Sequence, residues 1–137
     1  MKTSYSKKRI RLGVVINYFG LAGSVAIWEL CSNSHWNNTM IIAGIISFIL
    51  LLSSLIPTYF TTRIWQFNHI PVSKLDEREL QITSFALRYA YGIFTIIAVI
   101  TFYLYSLTGL QVSVILAGGM LYFAHILPAS IIAWNGK

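Results

Sequence analysis

Three long uncharged tracts constrain this chain more than any motif in it. No Asp, Glu, Lys or Arg occurs between Leu12 and Trp28, between Leu30 and Thr62, or between Tyr89 and Gly136. Backbone that leaves water must satisfy its own N–H and C=O groups, so continuous apolar tracts of this length form helices that cross a bilayer. They lack the period-two alternation of a membrane barrel strand. Hydrophobic residues make up 56% of the chain and charged residues 10%, well below the roughly 25% charge of a soluble domain. The expected fold is an all-α, four-helix transmembrane bundle, with residues 1–137 forming one integral membrane domain.

A hydrocarbon core of about 30 Å takes roughly 20 helical residues per crossing. That rule places spans at about 12–30, 40–60, 89–107 and 112–134, with a loop at 61–88. The tract after Arg88 is too long for one pass and breaks at Ser106–Gln111, where Gly109 favours a turn. A basic segment before an apolar run also describes a secretory signal peptide, and Ser24, Val25 and Ala26 offer a small-residue cleavage context. The apolar run continues through Trp28, long enough to span, which favours a retained helix.

Orientation follows from the basic residues. Lys2, Lys7, Lys8, Arg9 and Arg11 precede the first span, Arg63, Lys74, Arg78 and Arg88 lie between the second and third, and Lys137 follows the fourth. All ten fall on one side of a four-pass arrangement. The positive-inside rule therefore places both termini and the 61–88 loop in the cytoplasm. Trp28, Trp36, Trp65 and Trp134 fall at or just beyond span ends, where indole rings prefer the interface. The net charge of +6 thus reports orientation. No basic patch interleaved with base-stacking aromatics points to nucleic acid. The expected partners are the lipid bilayer and either another membrane protein or a second copy of the chain. The single Cys31 makes no internal disulfide.

The 61–88 segment is the part with a chemical message. After His69-Ile-Pro71-Val-Ser73, residues 74–88 form a helical pattern that runs into the third span. Ser73 with Asp76 resembles a capping pair, although Glu or Gln three residues on would serve better. Asp76, Glu77 and Glu79 lie in the first turns, where negative charge opposes the helix dipole favourably. They do not converge on one helical face, so they are no metal or catalytic cluster. Two readings of Asp76, Glu77, Arg78 and Glu79 stand: a solvated helix start, or a docking patch for a partner.

The string Leu75-Asp76-Glu77-Arg78-Glu79, followed by Arg88-Tyr89-Ala90-Tyr91, resembles a pattern in small bacterial multi-pass membrane proteins. In those proteins an LDER-type loop leads into a transmembrane helix rich in Ala and Tyr. The similarity is confined to residues 75–91. It implies a bacterial plasma (inner) membrane and a cytosolic position for the loop, and it implies no activity.

Polar groups at membrane depth are costly and are functional candidates by default. His125 lies inside the fourth span, three residues before Pro128, whose ring frees the carbonyl of Ala124. The two could form a proton, ion or cofactor site, or His125 could be a neutral imidazole bonded to Ser47, Ser53, Thr95 or Thr101. Asn17 is expected to make an interhelical hydrogen bond, and Glu29 ends the first span. Small residues four apart (Gly20/Ser24, Ala22/Ala26, Ala43/Ser47, Ala86/Ala90, Ala129/Ala133) allow close helix packing. His35, His69 and His125 fall at three different depths and share no metal. No GxSxG, HExxH or phosphate-loop pattern occurs. No catalytic residue, metal or cofactor is assigned. The functional expectation is a non-enzymatic accessory or regulatory membrane protein that docks a partner through its 74–88 helix. The alternative is a small oligomeric transporter or channel built on His125 and Pro128.

Overall fold

The computed structural model describes residues 7–33, 36–62 and 70–135, the side chains of Asn33 and Val72 excepted. His35, Arg63, Trp65 and His69, read above, lie outside the described residues, as do Lys2 and Lys137. Four helices carry the fold: α1 (Lys7–Asn33), α2 (Asn38–Leu55), α3 (Glu77–Thr108) and α4 (Val114–Asn135). Among the described residues there is no strand. All four helices are long and apolar enough to cross a membrane. The chain is a multi-pass, all-α membrane bundle.

Local chemistry sets the ends of these helices. Asn37 caps α2 by accepting from the Thr39 N–H. At the other end Pro57 has no N–H to donate, and the helix widens into a π turn over Ile56–Phe60. There the Thr61 N–H reaches back five residues to the Ile56 carbonyl at 3.1 Å. The wider turn rotates Thr58 and Tyr59 inward, and both are buried. π turns recur at positions where a side chain must be re-aimed.

The start of α3 departs from the sequence expectation. A 3₁₀ turn occupies Val72–Lys74, and the α-helix begins at Glu77, with Asp76 as its cap in place of Ser73. The Asp76 carboxylate accepts from the Glu77 N–H at 2.7 Å, and Glu79 reaches back to the Asp76 N–H at 3.2 Å. Asp76 with Glu79 makes the reciprocal capping box that Ser73 with Asp76 cannot, because Glu is long enough to return to the cap. Gly109, at φ 67°, closes α3 in the left-handed region, which a residue with a Cβ enters only at a cost. At 1.5 Å per residue α3 is about 48 Å long. Its uncharged part, Tyr89 to Thr108, accounts for about 30 Å, one hydrocarbon core.

α1 packs against both α2 and α4, whereas α3 packs chiefly against α4. The α1–α2 crossing is tight because α1 presents glycine there. A Cβ on Gly20 would stand 2.6 Å from the Leu51 nitrogen, and one on Gly23 would stand 2.7 Å from Ser47 Oγ. Ala86, Ala90 and Ala129 are buried, whereas Ala22 and Ala26 face outward and take no part in packing. The apolar core (Val14, Tyr59, Ala86, Ile126, Ala129, Ile132) lies at the end where α1 begins and α4 ends.

Candidate functional site

The interior of the bundle holds a polar cluster built on α1, α2 with its π turn, and α4. Asn17, completely buried, is its hub. Its amide donates to the Leu51 carbonyl at 3.1 Å and to Ser54 Oγ at 3.0 Å, while its oxygen accepts from the Tyr122 hydroxyl at 3.0 Å. One side chain on α1 thereby ties α2 to α4. Beside it, Ser130 Oγ meets the hydroxyls of Tyr18 and Tyr59, each at 2.8 Å. Ser130 donates its single proton to the Ile126 carbonyl at 3.0 Å. Both tyrosines therefore act as donors to Ser130, since a hydroxyl has one proton and two acceptor lone pairs.

A proline precedes both members of the Tyr59–Ser130 pair. Tyr59 follows Pro57 by two residues in the π turn, and Ser130 follows Pro128 by two residues in α4. α4 continues without a break through Pro128. The resulting arrangement is a lock and not a conduit. Asn17 breaks any relay from Tyr122, because a neutral amide neither gives up nor accepts a proton readily. Each donor described above has an acceptor, which is what low-dielectric burial requires.

Two further contacts hold the ends. Near the start of α1, the Arg11 guanidinium donates to the Trp134 carbonyl at 2.9 Å and sits 5.1 Å from the Trp134 ring centroid. A cation at a helix C-terminus is favoured by the dipole, and the ring face adds to it. Arg11 Nε is buried there without a hydrogen-bond partner. At the opposite end Glu29 accepts from Ser113 Oγ. Ser113 in turn accepts the Leu116 N–H at 2.9 Å and so caps α4. Cys31, also buried, points its thiol at Met40 Sδ, 3.3 Å away.

The residues singled out in the sequence fall in four separate places. Asn17 is in the core. Glu29 is at the α1–α4 end. Asp76, Glu77, Arg78 and Glu79 stand at the start of α3, with Glu77 and Arg78 exposed. His125 lies on the outward side of α4, next to the fully buried run Ile126–Ser130. Ser53 and Thr95, considered above as its partners, donate to their own helices, at Leu50 and Tyr91. The tyrosines of the core were missed because Tyr18, Tyr59 and Tyr122 sit in apolar tracts and look like interfacial aromatics. Only the proline spacing before Tyr59 and Ser130 hinted otherwise. Among the described residues no group of His, Cys, Asp and Glu has the arrangement of a metal site. Compared with protein-family models, curated proteins and solved structures, the chain finds no match.

Proposed function

We propose that this is a non-enzymatic accessory or regulatory protein of a bacterial inner membrane, and that the α3 helix with its acidic start docks a partner membrane protein. The observation that supports this reading is the unequal burial of α3. Its buried residues, Thr83, Ala86 and Ala90, lie in its first half, and nothing from Tyr91 to Thr108 is buried. Beyond Ala90 the helix is held along one half-buried face, with Phe94 near Phe123 and Tyr105 bonded to Glu29, so its remaining faces are on offer to another protein. Asp76 and Glu79 are engaged in the capping box, which leaves the exposed Glu77 and Arg78 to carry recognition.

Both termini and the 61–88 loop are assigned to the cytoplasm. The basic residues support that assignment, and so does the Arg11–Trp134 contact, which brings the start of α1 and the end of α4 to one side. Exchanging the exposed pair, Glu77→Arg with Arg78→Glu, leaves Asp76 and Glu79 to cap the helix. That variant is expected to fold and insert normally yet to lose a specific partner during purification in mild detergent. Unchanged partner recovery sinks the reading. Replacing all three acids with alanine would be ambiguous, because it also removes the cap, a loss of about 0.5–2 kcal/mol.

The outward position of His125 gives the transporter reading one specific form: a pathway between copies, not through one bundle. His125→Ala should then remove flux in liposomes, and unchanged flux eliminates it.

A further inference from the structure

Two arginines at the start of α1 have different surroundings. Arg11 turns toward α4 and is held there by Trp134. Arg9, two residues earlier and so about 200° away around the helix, lines a groove of about 340 Å³ between α1 and α2. Arg9, Leu12, Gly13 and Ile16 recur at the three- and four-residue spacing of one helical face and form its α1 wall. Leu50, Ser53 and Pro57 stand in the facing wall.

The groove is charged at one end and chiefly apolar along the rest. Arg9 alone in its lining carries a charge, at the end where α1 begins. Ser53 and Ser54 give their hydroxyl protons to α2 itself, at the Leu50 and Leu51 carbonyls, 3.2 and 3.0 Å away. An occupant therefore gains one strong polar contact, at the guanidinium, and gains no donor from the serines along its body.

The charge around Arg9 selects the sign of that occupant. Lys7, Lys8, Arg9 and Arg11 fall within the first five residues of α1, and its first turn holds no acid. Cations at the positive end of a helix dipole are unfavourable. α3 answers the same dipole with Glu77 and Glu79 in its own first turn. α1 has no such answer within the chain. Of the four carboxylates, Glu29 lies at the far end of α1, and the other three stand at the start of α3, where Asp76 and Glu79 are engaged in the cap. Acidic lipid supplies negative charge at the depth where a basic helix end meets the membrane surface. A planar guanidinium grips a phosphate through two parallel hydrogen bonds.

We infer that the α1–α2 groove binds one acidic phospholipid, its phosphate on Arg9 and the first part of an acyl chain along Leu12, Ile16 and Leu50. The site contains no residue of α3 and stands apart from the docking role proposed there.

Native mass spectrometry of the detergent-purified full chain tests this, after equilibration with phosphatidylglycerol or phosphatidylcholine. One lipid retained per chain is expected, with phosphatidylglycerol preferred several-fold. Arg9→Gln should abolish the preference, whereas Lys8→Gln, the same change of charge at a residue outside the groove lining, should keep most of it. Ser53→Phe should fill the groove and abolish retention with Arg9 still in place. Ser53 is exposed, so the helix tolerates the larger side chain. Equal losses in Arg9→Gln and Lys8→Gln would overturn the site by showing diffuse attraction to the basic end. Lipid-free chain, full retention by Ser53→Phe, or displacement of the lipid by excess inorganic phosphate would each overturn it too. So would a wild-type dimer that Ser53→Phe disperses, which would place a second copy in the groove. A second measurement needs no substitution. Spin-labelled phosphatidylglycerol should show a larger immobilised fraction than spin-labelled phosphatidylcholine in membranes holding the full chain, and equal fractions would overturn the preference.

Discussion

Gly20→Leu is expected to separate α1 from α2 and to abolish the folded bundle. The atoms that a Cβ at residue 20 would meet are backbone: the Leu51 nitrogen at 2.6 Å, and Leu51 Cα and the Ser47 carbonyl oxygen at 2.9 Å. No rotamer change relieves such contacts, so the helices must move. Overpacking by a few methylenes costs about 1–3 kcal/mol even where neighbours can adjust. Here the displacement also breaks the bonds from Asn17, one turn earlier, to Leu51 and Ser54. In a bilayer, where packing and interhelical hydrogen bonds replace the hydrophobic effect as the force between helices, these losses reinforce one another. Gly118→Ala is the control, since nothing lies within 4 Å of a Cβ there. Thermal melting in detergent should show a large drop for Gly20→Leu, an intermediate one for Gly20→Ala, and none for Gly118→Ala. Equal midpoints for the first and last would refute close packing at this crossing.

Tyr59→Ala is expected to be the most damaging single truncation in the core. Tyr59 is completely buried, and its ring packs in the cluster of Val14, Ala86, Ile126 and Ala129. Removing a buried aromatic ring costs about 3–5 kcal/mol, transfer and cavity together. Tyr59→Phe keeps the ring and loses one bond to Ser130, whose other donor, Tyr18, remains. Interhelical hydrogen bonds in membranes average about 0.6 kcal/mol, with about 1.7 as the upper end. Ser130→Ala strands both tyrosine hydroxyls and should fall between the two. The order to be measured by unfolding is therefore Tyr59→Ala well beyond Ser130→Ala, and that beyond Tyr59→Phe. If Tyr59→Phe is as harmful as Tyr59→Ala, the hydroxyl and not the ring holds the π turn in place.

The uncharged tracts made the four helices legible, because a bilayer demands length and apolarity and little else. Asn17 stood out for the same reason: an amide inside an apolar tract must bond across helices. What stayed hidden depends on rotation about a helix axis. Four-residue small-residue pairs occur on every face, so Gly20 at a crossing and Ala22 on the outside look alike in the sequence. His125 was ambiguous on the same ground. The inward turn of Tyr59 was harder still, because a π turn shifts the register by one residue and so moves every later side chain to a new face. The cap of α3 lay within reach: Asp76 with Glu79 has the better spacing, but the helical pattern beginning at Lys74 drew the start too early.

Site-directed photocrosslinking in native membranes tests the docking role of α3 most directly. A benzoylphenylalanine at the exposed aromatic positions Phe85 or Tyr89, which lie about two and three turns beyond the acidic start, samples whatever rests on this helix. A discrete protein adduct of one mass is predicted at these positions, lost when Glu77→Arg and Arg78→Glu are combined. Adducts to lipid alone, or a protein adduct indifferent to the exchanged charges, would contradict it.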